Sequence, residues 1–201
     1  MEASHYGRTV VSSSSCTSIM IRAAGSGKVG VQEEAIRTRL PRSTRALPMR
    51  VITVGKARSI GVQNIALEYT KKIQHYCQFE DVQVRSNPKN TRDVRAQIAS
   101  EGEYVMRLIS AKEWLVLLDE HGKEVTSEQF ADLMADASDT GARALVFCIG
   151  GPFGHGPQLH ARANITVKLS SMVLNHQLAF VVLLEQIYRG WTILRGENYH
   201  H

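Results

Sequence analysis

Residues 146–157, VFCIGGPFGHGP, decide how this chain is read. An apolar run suited to a buried strand stops at four glycines and two prolines. An ordinary turn needs one or two such residues. A longer series strips side chains from several peptide groups and fixes φ at the prolines, so main-chain N–H and C=O groups are left open to a ligand. Upstream, ALVFCIG completes the strand. Downstream, the pattern predicts a short helix near 157–163, a strand near 165–169 and a long helix over 175–194. Between the last two lies a second turn of small and polar residues, LSSMVLNHQ, residues 169–177.

The same alternation extends toward the amino end. RVITVG reads as a strand, and Val62, Ile65, Ala66, Tyr69, Ile73 and Tyr76 then recur at helical spacing. FEDVQVR is a second strand, and the turn-rich SNPKN leads to a helix bearing Val94, Ile98, Val105 and Leu108. WLVLLD is a buried strand expected to end in a turn at His121-Gly122. Ser127 is placed to cap a helix that buries Phe130, Leu133, Met134 and Ala137 and stops at Gly141. Strands alternating with helices, the central ones apolar on both faces, predict an α/β fold with a parallel sheet covered on both sides. A loop at the carboxyl end of such a strand lies where open α/β sheets bind ligands.

With 201 residues, 43% of them apolar, the chain suits one domain. Its net charge of +5 is uneven, because residues 1–48 hold seven Lys/Arg against three acids and the remainder is nearly neutral. A near-neutral surface of this kind is expected to bind free RNA poorly. Residues 1–48 contain VVSSSSCTS and no long periodic pattern, so they read as a transit peptide or disordered leader, with 49–201 as the domain. The serine run favours a chloroplast over a mitochondrion. Cys16, Cys77 and Cys148 are odd in number without CxxC, which points to a reducing compartment. The longest apolar run, residues 178–184, is far below the roughly twenty needed to span a bilayer. Because that run is apolar on all sides, its helix is expected either in a dimer interface or at the centre of a monomer.

Several ligands are excluded at the glycine loop. A phosphate loop needs GxxxxGK, and no Lys or Arg lies between Ala144 and Ala161. A dinucleotide fingerprint needs GxGxxG and an acid about twenty residues on, yet residues 140–184 hold no Asp or Glu. A ribose-binding carboxylate is therefore not expected, and recognition is left to the main chain with apolar burial. His155, His160 and Cys148 lack the spacing of a metal set, so no metal is expected. A hydrolase is disfavoured by the missing GxSxG turn.

FCIGGPFGHGP followed by LSSMVLNHQLAFVVLLEQIYRGWTILRGENYHH resembles the carboxyl half of the RlmH family of large-subunit ribosomal RNA pseudouridine methyltransferases, small members of the SPOUT or α/β-knot class. RVITVGK matches the family's opening strand, and the resemblance covers about residues 49–201. It implies a parallel-sheet fold with a carboxyl-terminal trefoil knot, a homodimer, S-adenosylmethionine bound in the knot, and N3 methylation of a pseudouridine on assembled ribosomes. By match to the family, Leu118, Gly150 and the segment Leu169, Ser170, Ser171, Met172, Val173 and Leu174 contact the cofactor, with Gly151 and Gly154 in the same loop. Phe153 stands where an acid or amide is common, Asn175 where proline is, and His201 where Lys or Arg ends the chain.

The candidates for catalysis are His176, Arg189, Tyr199 and His200. A neutral imidazole can accept the N3 proton, which suggests His176 or His200. For His176 the alternative is a helix-start residue bonded to backbone. Arg189 suits RNA phosphate or base steering, but Glu185 lies one turn earlier and offers a plain ion pair. Tyr199 suits stacking on an unpaired base, or simply closes the helix. A non-catalytic ribosome-assembly factor with the same pocket is the alternative function.

Overall fold

The computed structural model describes residues 44–87 and 89–197. Most of the leader assigned to 1–48 lies outside them, as do Tyr199 and His200. In chain order the elements are β1 (Met49–Gly55), α1 (Ile60–Gln74), β2 (Phe79–Arg85), α2 (Val94–Leu108) and β3 (Trp114–Glu124). Then come α3 (Ser127–Asp139), β4 (Leu145–Ile149), α4 (Pro157–Arg162), β5 (Ile165–Lys168) and α5 (His176–Arg195). The five strands form one sheet in the order β2-β1-β4-β3-β5, and every pairing is parallel.

Alternation of side chains along the central strands builds two separate cores. Val116, Leu118, Leu145, Phe147 and Ile149 face one way, into a cluster shared with α1, α3 and α5. Leu115, Leu117, Val146 and Cys148 face the other way, with Val105 of α2 and Leu159 of α4. This is the expected sheet covered on both sides. Burial pushes the thiols of Cys77 and Cys148 up to about 11 and about 12, so both stay protonated and unreactive near neutrality.

Three local expectations need correction. Leu47 is 2% exposed and joins the core, while Arg45 donates to the Ala142 carbonyl at 2.7 Å. The packed domain thus begins before Met49. Thr126, not Ser127, caps α3, in a capping box with Gln129. β3 does not stop at His121-Gly122 but runs to Glu124, because residues 119–122 bulge between the pairs Leu118–Val167 and Lys123–Val167. A Cβ at Gly122 would meet the Val167 carbonyl carbon at 2.6 Å, so the bulge closes only over glycine.

After β5 at the sheet edge, residues 169–175 carry the chain back to the middle, where His176 meets Gly55 at the end of β1. That return is consistent with a knotted path. Asn175 caps α5 by accepting from the Gln177 N–H at 2.9 Å, a bond proline could also not replace at this position. Along α5, Phe180, Leu183, Leu184, Ile187 and Trp191 are buried against the sheet and its neighbouring helices. Leu178 is 56% exposed, so the helix is not enclosed on every side within one chain.

Candidate functional site

A cavity of about 620 Å³ opens at the carboxyl ends of β3, β4 and β5. β3 supplies Leu118, and the loop after β4 supplies Gly150, Gly151 and Gly154. The segment after β5 supplies Leu169, Ser170, Met172, Val173 and Leu174. These residues, far apart in the chain, meet because β3 pairs with both β4 and β5, Leu118 lying opposite Ile149 on one side and Val167 on the other. Of the expected cofactor positions, Ser171 is exposed and does not line the cavity.

The glycine loop is closed on itself. Gly151 and Gly154 form an antiparallel bridge in which the Gly154 N–H donates to the Gly151 carbonyl at 3.0 Å, and Gly154 sits at φ +79°. The His155 Nε2 lies 3.1 Å from the Leu118 carbonyl and so ties this loop to β3. His155 precedes α4, and its ring meets that of His160 edge to face at 5.9 Å.

The cavity also contains the carboxylates that sequence reasoning discounted. Asp119 and Glu120, at the end of β3, line it. Burial works against ionisation of Asp119, but the His121 N–H and imidazole, with His155 and His160 nearby, hold the carboxyl below its ordinary value. Residues 140–184 hold no acid, whereas parallel pairing brings Asp119 to the cavity from upstream. The signal was present in LLD, an acid at the carboxyl end of a buried strand. Lys168 is the one cation among the cavity's described residues, and Glu124 pairs with it at 3.2 Å. The site is thus negative to neutral.

The candidate catalytic residues separate. His176 lines the cavity, but its ring is wedged against Gly55, where a Cβ would lie 3.0 Å from Cε1, and its Nε2 is buried without a hydrogen-bond partner. Arg189 lies thirteen residues along α5, about 20 Å away at the helical rise, and is paired with Glu185 at 2.7 Å.

Burial lowers the proton affinity of His155 and of His176 below the ordinary imidazole value of 6.5, partly offset by nearby backbone groups. A base whose folded pKa is depressed is neutral in the folded state while the unfolded chain takes up protons. The stability associated with these rings is therefore intact above pH 6.5 and is lost as pH falls below it toward the lowered values. Thermal denaturation between pH 7.5 and 5 is expected to show Tm falling, with a shallower fall in a His155→Gln, His176→Gln variant. Equal slopes would contradict this.

Comparison with known proteins bears directly on this cavity. Residues 47–200 match the family model described as "Predicted SPOUT methyltransferase". The chain belongs to the SPOUT methyltransferase family. A relative from Arabidopsis thaliana, "Putative RNA methyltransferase At5g10620", is 58% identical over 159 residues, covering 79% of this chain and 82% of that one. "Ribosomal RNA large subunit methyltransferase H" of Flavobacterium johnsoniae is 36% identical over 155 residues, 76% of this chain and 98% of that protein. Among solved structures, the SpoU methyltransferase AviRb of Streptomyces viridochromogenes in complex with the cofactor AdoMet aligns with a TM-score of 0.38 at 14% identity, over 73% of this chain and 62% of that one. The resemblance to the RlmH family read from the glycine loop and the terminal helix is thereby borne out. In this SPOUT methyltransferase, the segments that carry the family likeness are also those that wall the cavity.

Proposed function

We propose that the chain transfers a methyl group from S-adenosylmethionine to N3 of a pseudouridine in large-subunit ribosomal RNA of an organellar ribosome, the chloroplast's in the first instance. The observation that carries this reading is the convergence of residues 118, 150–154, 169, 170 and 172–174 on one cavity that has acids but no unpaired cation among the described residues. A positively charged sulfonium is favoured in such a field, and a phosphate is not. The cradle fits the cofactor: exposed peptide groups of the glycine loop and of the segment after β5 would hold its polar edges, Leu118 and Leu174 would offer apolar contact, and the ionised Asp119 could accept from a ribose hydroxyl. When bound, S-adenosylmethionine supplies an electrophilic methyl group. The protein's own part is orientation and exclusion of water, which accounts for most of the acceleration in a direct displacement. His200, rather than the enclosed His176, is the proposed acceptor for the N3 proton.

The same reading includes a homodimer, which exposed apolar side chains support. Leu178, Ile60 and Leu67 are 56%, 76% and 61% exposed on the neighbouring helices α5 and α1, and Met172 and Val173 are 74% and 82% exposed. Arg189, too distant to serve its own cavity, would serve the partner's. The organellar address rests on the basic, serine-rich, acid-poor composition of residues 1–48.

The test is methyl transfer from labelled S-adenosylmethionine to ribosomes lacking the modification, comparing the wild type with a His200→Ala, Arg189→Ala variant. Transfer by the wild type and a fall of at least about a hundredfold in the variant are expected. Cofactor binding without transfer by the wild type would instead identify an assembly factor.

A further inference from the structure

The glycine loop has a second cavity behind it. Pro152 and Phe153 line the cofactor cavity on one side and, on the other, a cavity of about 700 Å³ bounded by the ends of β1 and β2 and by α2. Its composition differs from the first. Lys56 and Arg85 stand at the carboxyl ends of adjacent strands, Gly55 pairing with Arg85 in register, and no Asp or Glu occurs among the described lining residues. Gln83, Ser86, Asn87 and Gln97 line it with side chains bonded within the wall, Gln83 Nε2 donating to the Lys56 carbonyl at 2.5 Å, and Phe153 presents a ring that is 50% exposed.

The cations here differ from their neighbours in being uncommitted. Arg58 is held by Asp81 and by Thr53 Oγ1 at 2.5 Å, and it lies over the Phe180 ring. Lys168 is paired with Glu124. Lys56 and Arg85 have no ion-pair partner among the described residues.

The wall itself is built on one buried carboxylate. Glu101, 3% exposed, accepts at Oε1 from Ser86 Oγ at 2.7 Å, the Asn87 N–H at 2.7 Å and Gln97 Nε2 at 2.8 Å. Its Oε2 has no hydrogen-bond partner and packs where a Cβ on Gly151 would have to go. The Asn87 side chain also brackets Thr91, donating to its carbonyl at 2.8 Å and accepting from its N–H at 2.9 Å. One carboxylate therefore sets both the wall of the second cavity and the back of the loop that walls the first.

We propose that this second cavity seats a nucleotide of the RNA substrate, with Lys56 and Arg85 on its flanking phosphates and the base against Phe153, across the glycine loop from the methyl donor. Two cations beside an exposed ring suit the phosphates and the face of an unstacked base in a single strand. A small opening of this kind with only two cations gives weak affinity for arbitrary RNA, as the near-neutral domain already requires. The inference rests on the reading of the chain as an RNA methyltransferase.

Its test is independent of turnover. The full chain is photo-crosslinked to a short RNA oligonucleotide containing 4-thiouridine, the attached peptides are mapped by mass spectrometry, and affinity is followed by fluorescence anisotropy over a range of salt. Crosslinks at Lys56, Arg85–Asn87 or Phe153 are expected. Kd should rise about tenfold in a Lys56→Ala, Arg85→Ala variant, and the salt slope should fall by about 1.4 for two lost single-strand phosphate contacts. Phe153→Ala should weaken binding without changing that slope. Crosslinks confined to other peptides, or an unchanged Kd in the double variant, would overturn the assignment. Uridine monophosphate competing as well as the oligonucleotide would overturn it too, by giving the site to a free nucleotide. Calorimetry with S-adenosylmethionine on the same proteins separates the two readings. No heat with the wild type sinks the proposed function, while the crosslink map still decides the second cavity.

Discussion

Gly150→Ala is expected to reduce S-adenosylmethionine affinity by at least about a hundredfold while leaving the domain folded. A Cβ at this position would lie 2.9 Å from both the carbonyl carbon and the oxygen of Gly154, and 3.2 Å from His155 Cε1. Two of those three neighbours are backbone, so no side-chain rotation relieves the clash. Relief requires opening the Gly151–Gly154 bridge, and this moves the peptide groups proposed to hold the cofactor. Each main-chain hydrogen bond contributes about 1 kcal/mol net and tenfold in affinity is about 1.4 kcal/mol, so misplacing about three of them is enough for the stated loss. Gly61→Ala provides the contrast, because nothing lies within 4 Å of its added Cβ and α1 gains roughly 0.5–1 kcal/mol of stability. Calorimetry and thermal denaturation of the two variants check the expectation. Cofactor affinity in Gly150→Ala within threefold of the wild type would contradict it.

The largest effect on stability is expected from Trp191→Ala, at about 3–5 kcal/mol, a large share of the ~5–15 kcal/mol available to a domain. The indole is 1% exposed and stacks on Tyr76, with centroids 5.9 Å apart and planes within 1°. Tyr188 adds tilted contacts to Tyr76 and Tyr69, so the far end of α5 is fastened to α1 through one aromatic cluster. Just before it, Gly190 lets α5 approach α3, since a Cβ there would sit 2.6 Å from the Met134 sulfur. Collapse into the vacated space is limited by these rigid neighbours, which puts the cost at the upper part of the range. Chemical denaturation at 25 °C measures it, and a change below 1 kcal/mol would show that the indole is not part of the core.

Much of this was legible in linear order because it depends on local chemistry. The alternation in WLVLL and ALVFCI carries both cores, since adjacent strand residues face opposite ways whatever surrounds them. The density of glycine and proline in 150–157 marks a backbone-exposing loop without any knowledge of its neighbours. The break from a patternless amino-terminal segment to periodic elements fell within a few residues of the packed boundary, missing Leu47 because a single apolar residue has no period. The turn placed at His121-Gly122 failed for a related reason. A glycine needed for close approach to Val167 looks the same in one dimension as a glycine needed for a reversal.

Cofactor-loop position and buried strands follow from neighbours within about four residues, and for these the amino-acid order suffices. Asp119 in the cavity, Glu101 behind Gly151, and Lys56 beside Arg85 follow from which parallel strand lies next to which. Strand order is settled by burying both faces of the whole sheet at once, and no short window of residues contains that information.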